Sequence, residues 1–141
     1  MDNIQKIVKK NGSKFRFLIV DDSLFQRKNI AKFIEKMNCE VAGEAVDGQD
    51  AVCLYKEIKP DIVTLDITMP GMNGYEALKE IISFDSNAVI VMVSALKHDK
   101  IIDDCINAGA KFHIGKPFKP EETAFLLCKA LRKYYDADYL D

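Results

Sequence analysis

The chain lacks several features that would assign it to common classes at once. No apolar stretch approaches the length of a membrane span, and the opening Met1-Asp2-Asn3-Ile4-Gln5-Lys6 has no apolar core of the kind a secretory signal carries. A cytoplasmic protein is expected. Charge of either sign is not in excess: a net charge of -2 gives no electrostatic reason for nucleic acid or an anionic membrane as partner. Cysteine is sparse and unpatterned. Cys39, Cys53, Cys105 and Cys128 show no C-x-x-C spacing and fall in four different expected elements, which favours reduced packing thiols over disulfides or a zinc site. Asn11-Gly12-Ser13 matches a glycosylation sequon, but without a secretory route it reads as a turn.

What remains is the composition of one soluble domain. A chain of 141 residues with 48% hydrophobic and 30% charged content can bury roughly two-thirds of its unfolded surface around a single core. From residue 15 onward, short apolar runs alternate with helical patterns five times, the signature of a doubly wound α/β sheet with helices on both faces. Ser23 with Gln26, and Asn73 with Glu76, have capping-box spacing at two helix starts; Asp47-Gly48 opens another helix, which Lys59-Pro60 ends. A fourth helix is expected from about Lys97 to Ala108, closed by Gly109, and a fifth starts at Pro120 with Glu121 and Glu122 in its first turn.

Three runs, 17–20, 62–65 and 89–93, are almost wholly apolar, as strands covered on both faces should be, whereas 39–45 alternates and 112–115 is short. The last two are expected at the edges. With right-handed crossovers, five parallel strands counted along the chain take the order 2-1-3-4-5, a flavodoxin-like arrangement whose switch point lies between strands 1 and 3.

Four of the runs stop at polar groups: Asp21-Asp22, Asp66, Ser94 and Lys116. In a parallel sheet these endings share one rim. Three carboxylates there either take up protons or recruit a cation, and an all-oxygen set suits Mg²⁺, with Mn²⁺ as a substitute. A carboxylate can attack phosphorus to give an aspartyl phosphate, with metal, ammonium and hydroxyl stabilising the transition state. Taken singly, Asp21-Asp22 reads equally as acids at a helix N-terminus, Ser94 as a cap and Lys116 as a surface charge. Their joint placement favours the phosphoryl-transfer reading.

In order and interval, Asp21-Asp22, Asp66 with Met69-Pro70 and Gly74, Ser94-Ala95, and Gly109-Ala110 leading to Lys116-Pro117-Phe118 resemble the receiver domain of two-component response regulators, over about residues 15–134. In size the chain is similar to the single-domain chemotaxis and phosphorelay type. The resemblance implies that Asp66 accepts a phosphoryl group from a histidine kinase or histidine phosphotransferase. It also implies that Mg²⁺ is held by Asp22, Asp66 and the Thr68 carbonyl, with Asp21 assisting through water. Ser94, the Ala95 backbone and Lys116 would bind the phosphoryl group, and the Lys116-Pro117 bond would be cis. Ser94 and an aromatic shortly before the lysine form the switch in this family; here that place holds His113, whose inward swing would depend on protonation near neutral pH. His113 reads equally as a partly exposed edge-strand residue. Thr68 and Leu96 occupy places that, by the same resemblance, would tune water access.

Outside the match, residues 1–14 place Ile4, Ile7 and Val8 at helical spacing, a short extra helix or a frayed tail, and 135–141 is an aromatic, acidic tail that extends the last helix or docks elsewhere. With no room for an output domain, output is expected through a protein reading residues about 97–134, from a monomer or weak dimer that is a self-phosphorylating switch and not a turnover enzyme. The expected role is chemotaxis or motility signalling, the alternative a phosphorelay intermediate. A haloacid-dehalogenase-like Mg²⁺ phosphatase ranks lower, because its second Asp, two residues on, is Thr68 here. A P-loop fails on Pro117 and on the five residues between Gly109 and Gly115. A receiver-like docking module that is never phosphorylated would be expected to lack an essential group, and none is missing.

Overall fold

The computed structural model describes residues 3–95 and 99–140. Five parallel strands form the central sheet: β2 (Arg16–Val20), β3 (Glu40–Ala45), β4 (Ile62–Asp66), β5 (Ile90–Ser94) and β6 (Phe112–Gly115), in the order β3-β2-β4-β5-β6. This is the 2-1-3-4-5 order expected from composition, with β3 and β6 at the edges. Five helices, α1 (Leu24–Lys36), α2 (Gly48–Ile58), α3 (Gly74–Phe84), α4 (Lys100–Asn107) and α5 (Pro120–Tyr134), cover the two faces.

Strand alternation builds the two cores. Phe17, Ile19, Ile62, Val89 and Val91 join Phe33 and Ile34 of α1 and Leu127 and Leu131 of α5 in one layer. Leu18, Val20, Val63, Leu65, Ile90 and Met92 meet Tyr55 of α2, Leu78 of α3 and Cys105 of α4 in the other. The central strands β2, β4 and β5 thereby bury both faces, which is why their sequences are almost wholly apolar.

Local caps set where the helices begin. Ser23 accepts the Gln26 N–H at 3.3 Å, Asp47 accepts that of Asp50 at 2.8 Å, and Asn73 and Glu76 complete a reciprocal box. The fourth helix starts later than expected. Asp99 caps it by accepting the Ile101 N–H at 3.1 Å, so α4 begins at Lys100. Cysteines 39, 105 and 128 are buried packing thiols, but Cys53 lies exposed on the outer side of α2.

The two chain ends depart most from the sequence reading. Residues 6–9 form a strand, β1 (Lys6–Lys9), and the tail forms another, β7 (Ala137–Leu140), paired antiparallel with Ile7 opposite Tyr139. Neither an N-terminal helix nor an extended α5 is present among the described residues. Ile7 is fully buried in the same core as Phe15, Met37 and Leu131, and its N–H reaches the Met37 carbonyl at 3.0 Å. Burial of one face drives the strand: a helix would turn Ile7 away from partners that lie about 130 residues along the chain. Lys9 pairs with Asp61 at 3.0 Å and the Tyr135 hydroxyl donates to the Asp61 carbonyl. All these contacts lie at the amino ends of β2, β3 and β4, the end away from the polar rim.

Candidate functional site

The rim at the carboxyl ends of β2, β4, β5 and β6 gathers the polar strand endings. Asp21 continues β2 by donating its N–H to the Ala45 carbonyl at 3.1 Å, which leaves its side chain buried at the sheet edge. One Asp21 oxygen accepts the Ser23 N–H at 2.9 Å and the other accepts from Lys116 Nζ at 3.2 Å. Asp66 is the last residue of β4. One of its oxygens accepts the Thr68 N–H at 3.2 Å and the other faces the same ammonium at 3.4 Å. Asp22 is exposed beside them, and one carboxylate oxygen from each of the three lies within 4.8 Å of the others.

Close backbone packing holds Asp66 in place. The Gly74 N–H donates to the Ile67 carbonyl at 2.9 Å, and a Cβ on Gly74 would stand 2.1 Å from the Asp66 carbonyl oxygen and 2.8 Å from Ile67 Cα. Only glycine allows α3 to start this near the strand end.

Ser94 ends β5 and is buried, and its carbonyl accepts the Lys116 N–H at 2.8 Å. Its Oγ lies 2.9 Å from His113 Nε2 on β6. The Lys116–Pro117 peptide bond is cis. The structure thus brings Asp21, Asp22, Asp66 and Lys116 into one cluster and joins Ser94 to His113 directly. Thr68 contributes its N–H to Asp66 and is itself exposed, as is Ala95; Leu96 lies outside the described residues.

The electrostatics explain what the site needs. Burial pushes the Asp66 carboxyl above its ordinary value; Lys116 pulls it back, Asp21 pushes it up again, and the Thr68 N–H lowers it, with the net direction upward. The Lys116 ammonium meets two of the three clustered carboxylates, Asp21 and Asp66, so a hard dication is the natural complement to this all-oxygen set. Burial also lowers the His113 pKa, which disfavours the charged imidazolium.

Sequence reasoning missed Arg27. Its Nη1 donates to the Asp21 carbonyl at 2.8 Å while its Nε pairs with Glu44 at 2.9 Å, tying α1 and β3 to the residue that precedes the exposed acid. The signal was present. A cation in the first turn of a helix opposes the macrodipole, so it needs a compensating partner.

Residues 17–127 match the family described as the response regulator receiver domain. A chemotaxis protein CheY of Thermotoga maritima is 51% identical over 114 residues, covering 81% of this chain and 95% of the relative. A CheY of Treponema pallidum is 40% identical over 133 residues, covering 93% and 92%. Among solved structures, the CheX–CheY–BeF3–Mg²⁺ complex from Borrelia burgdorferi contains a chain that superposes with a TM-score of 0.81 at 38% identity, covering 89% of this chain and 93% of that one.

Proposed function

The chain belongs to the response regulator receiver family, and from that premise we propose that Asp66 is its phosphoacceptor and that chemotaxis signalling is its pathway. The observation that carries this reading is the convergence of one carboxylate oxygen each from Asp21, Asp22 and Asp66 within 4.8 Å, with the Lys116 ammonium on Asp21 and Asp66. An Asp66 oxygen attacks the phosphorus of a phosphohistidine, the P–N bond breaks, and the imidazole leaves with its electron pair. The product is an acyl phosphate that water later cleaves.

Each side chain has a part in that transfer. Lys116 neutralises charge on the transferring group, the Ala95 backbone borders it, and Ser94 supplies a hydroxyl for the phosphoryl oxygens. Asp22, Asp66 and the Thr68 carbonyl would hold Mg²⁺, with Asp21 through water. The ion, when bound, offsets the negative charge of carboxylates and phosphoryl oxygens. The protein then acts as a switch read by another protein at residues about 97–134, where His113 passes on the state of Ser94.

Histidine kinase or histidine phosphotransferase is the donor class, and the chemotaxis assignment rests on the CheY relatives. Among the described residues no helix is long and apolar enough to cross a membrane. Incubation with Mg²⁺ and acetyl phosphate, followed by intact mass, should show one added phosphoryl group that Asp66→Asn abolishes and that chelation of the metal prevents. Absence of any adduct from acetyl phosphate and from a phosphorylated kinase would refute the assignment, and steady turnover of phosphate esters would favour a phosphatase.

A further inference from the structure

Ser94 and His113 sit on neighbouring strands, with His113 opposite Met92 in the register and its Nε2 2.9 Å from the Ser94 hydroxyl oxygen. Ser94 is 2% exposed and His113 half-buried beside a cavity, so the serine end of this bond is sheltered while the imidazole keeps access to water. A hydroxyl has a single proton to donate, and a neutral imidazole nitrogen is either donor or acceptor. Two arrangements follow. With a bare Nε2, Ser94 donates its proton to His113 and offers only lone pairs elsewhere. With hydrogen on Nε2, His113 donates to Ser94, whose proton becomes available to a second acceptor.

β5 carries no charged residue between Ile90 and Ser94. From α5 and the loop before it, Lys116, Lys119 and Glu122 line the same cavity as His113. On α4, Lys100 pairs with Asp104 at 3.2 Å, and Asp103 is that helix's other charged residue.

We infer that His113 is a positioning residue: hydrogen at its Nε2 decides whether Ser94 can donate to a phosphoryl group on Asp66, so phosphorylation and that hydrogen favour each other. The inference rests on the proposed role of Asp66. Phosphoryl oxygens only accept hydrogen bonds, so Ser94 must donate to them, and Nε2 must then donate to Ser94. A neutral His113 meets the demand by moving its hydrogen from Nδ1 to Nε2 through solvent; an acidic medium meets it by adding a proton. Coupling of this kind is reciprocal. Whatever places hydrogen on Nε2 strengthens the Ser94 contact with the phosphoryl group, and lower pH acts in that direction.

The test uses the full chain labelled with ¹⁵N-histidine, with Mg²⁺ alone and with Mg²⁺ and beryllofluoride, read by long-range ¹H–¹⁵N spectra between pH 6 and 8.5. His113→Gln assigns the resonance by its loss. The expected result is a move of the Nε2 resonance from the range of a bare nitrogen toward that of a hydrogen-bearing one when beryllofluoride binds, and loss of that response in Ser94→Ala. A bare Nε2 in the bound form, a spectrum unchanged by binding, or an equal response in Ser94→Ala each overturns the inference. Fluorine spectra of the same samples separate the two levels. No bound beryllofluoride sinks the role of Asp66, whereas bound beryllofluoride with an unresponsive His113 sinks only the relay.

Discussion

Replacing Asp66 with asparagine should abolish phosphorylation and yet make the metal-free protein more stable. The carboxylates are at most 4.8 Å apart. At an effective dielectric constant of about 20, each such pair repels by about 3.5 kcal/mol, and the Lys116 ammonium at 3.4 Å returns about 5 kcal/mol to Asp66. Exposed Asp22 is screened by solvent and contributes less than this figure, while burial of the Asp66 charge adds a cost of its own. Asparagine keeps an oxygen for the Thr68 N–H and removes the charge. The net gain for Asp66→Asn is about 1–2 kcal/mol, or about 3–7 °C in melting temperature for a domain of this size.

The pH dependence fixes the cause. The folded Asp66 pKa is raised, chiefly by burial. A raised carboxyl contributes stability below its unfolded value near 4 and loses it as pH climbs through the folded value. Wild type and Asp66→Asn should therefore be close in stability at the acid end, with the variant pulling ahead as pH rises. Urea unfolding in EDTA at steps between pH 4 and 8 measures this. Added Mg²⁺ should reverse the ranking, because an ion that binds only the folded wild type stabilises it by mass action. A variant no more stable than wild type at neutral pH, or a gap that does not change with pH, would refute the charge-crowding account.

Three further substitutions test the scaffold. Gly74→Ala should cost about 3 kcal/mol and slow labelling by acetyl phosphate, since its Cβ would meet the Asp66 carbonyl oxygen at 2.1 Å; Gly71→Ala, with φ +71 and nothing within 4 Å, should cost only about 1 kcal/mol. Thr64→Val should stabilise by about 1 kcal/mol in urea melts, because the Thr64 hydroxyl is buried without a partner between Ile19 and Val91. Ile7→Ala should destabilise by about 3 kcal/mol, a core-sized loss from a segment outside the central sheet, and a loss under 0.5 kcal/mol would show that the terminal strands do not fold with the domain.

The central sheet was legible because its code is local. Each buried strand is a short, largely apolar run, the helices α1 to α4 each start at a capping side chain, and strand order follows from which runs alternate. Asp21, Asp66, Ser94 and Lys116 were legible for the same reason: a polar residue directly after an apolar run must sit at a strand end. The β1–β7 pair was not. Its register joins Lys6 to Leu140, and four-residue strands have no periodicity that separates them from a helix turn. The Ser94–His113 bond was half legible. The sequence places both residues near the rim, but the direct contact depends on a side chain crossing between β5 and β6, which no spacing rule encodes.

The two ends of the sheet carry opposite energetic roles, and β2 connects them. At its amino end, Phe15 and Phe17 lie fully buried against Ile7, Met37 and Leu131, and the Phe15 ring meets Tyr135 at 5.5 Å. That end consists of apolar burial with satisfied backbone groups, and it stabilises. At the carboxyl end, Asp21 and Asp66 are held near each other by strands whose packing leaves them no retreat, and among the described residues one ammonium, that of Lys116, reaches both. Charge crowding there is maintained by the rest of the core, as strain at functional sites generally is. A site so arranged binds a cation or loses a charge readily, and either change relieves the same repulsion. The proposed transfer of a phosphoryl group to Asp66 would alter the number, position and hydrogen-bonding demands of the oxygens facing Ser94 and Lys116. The crowding that costs stability is thus what makes the rim responsive, and the terminal strands reinforce the far end of the sheet that holds it.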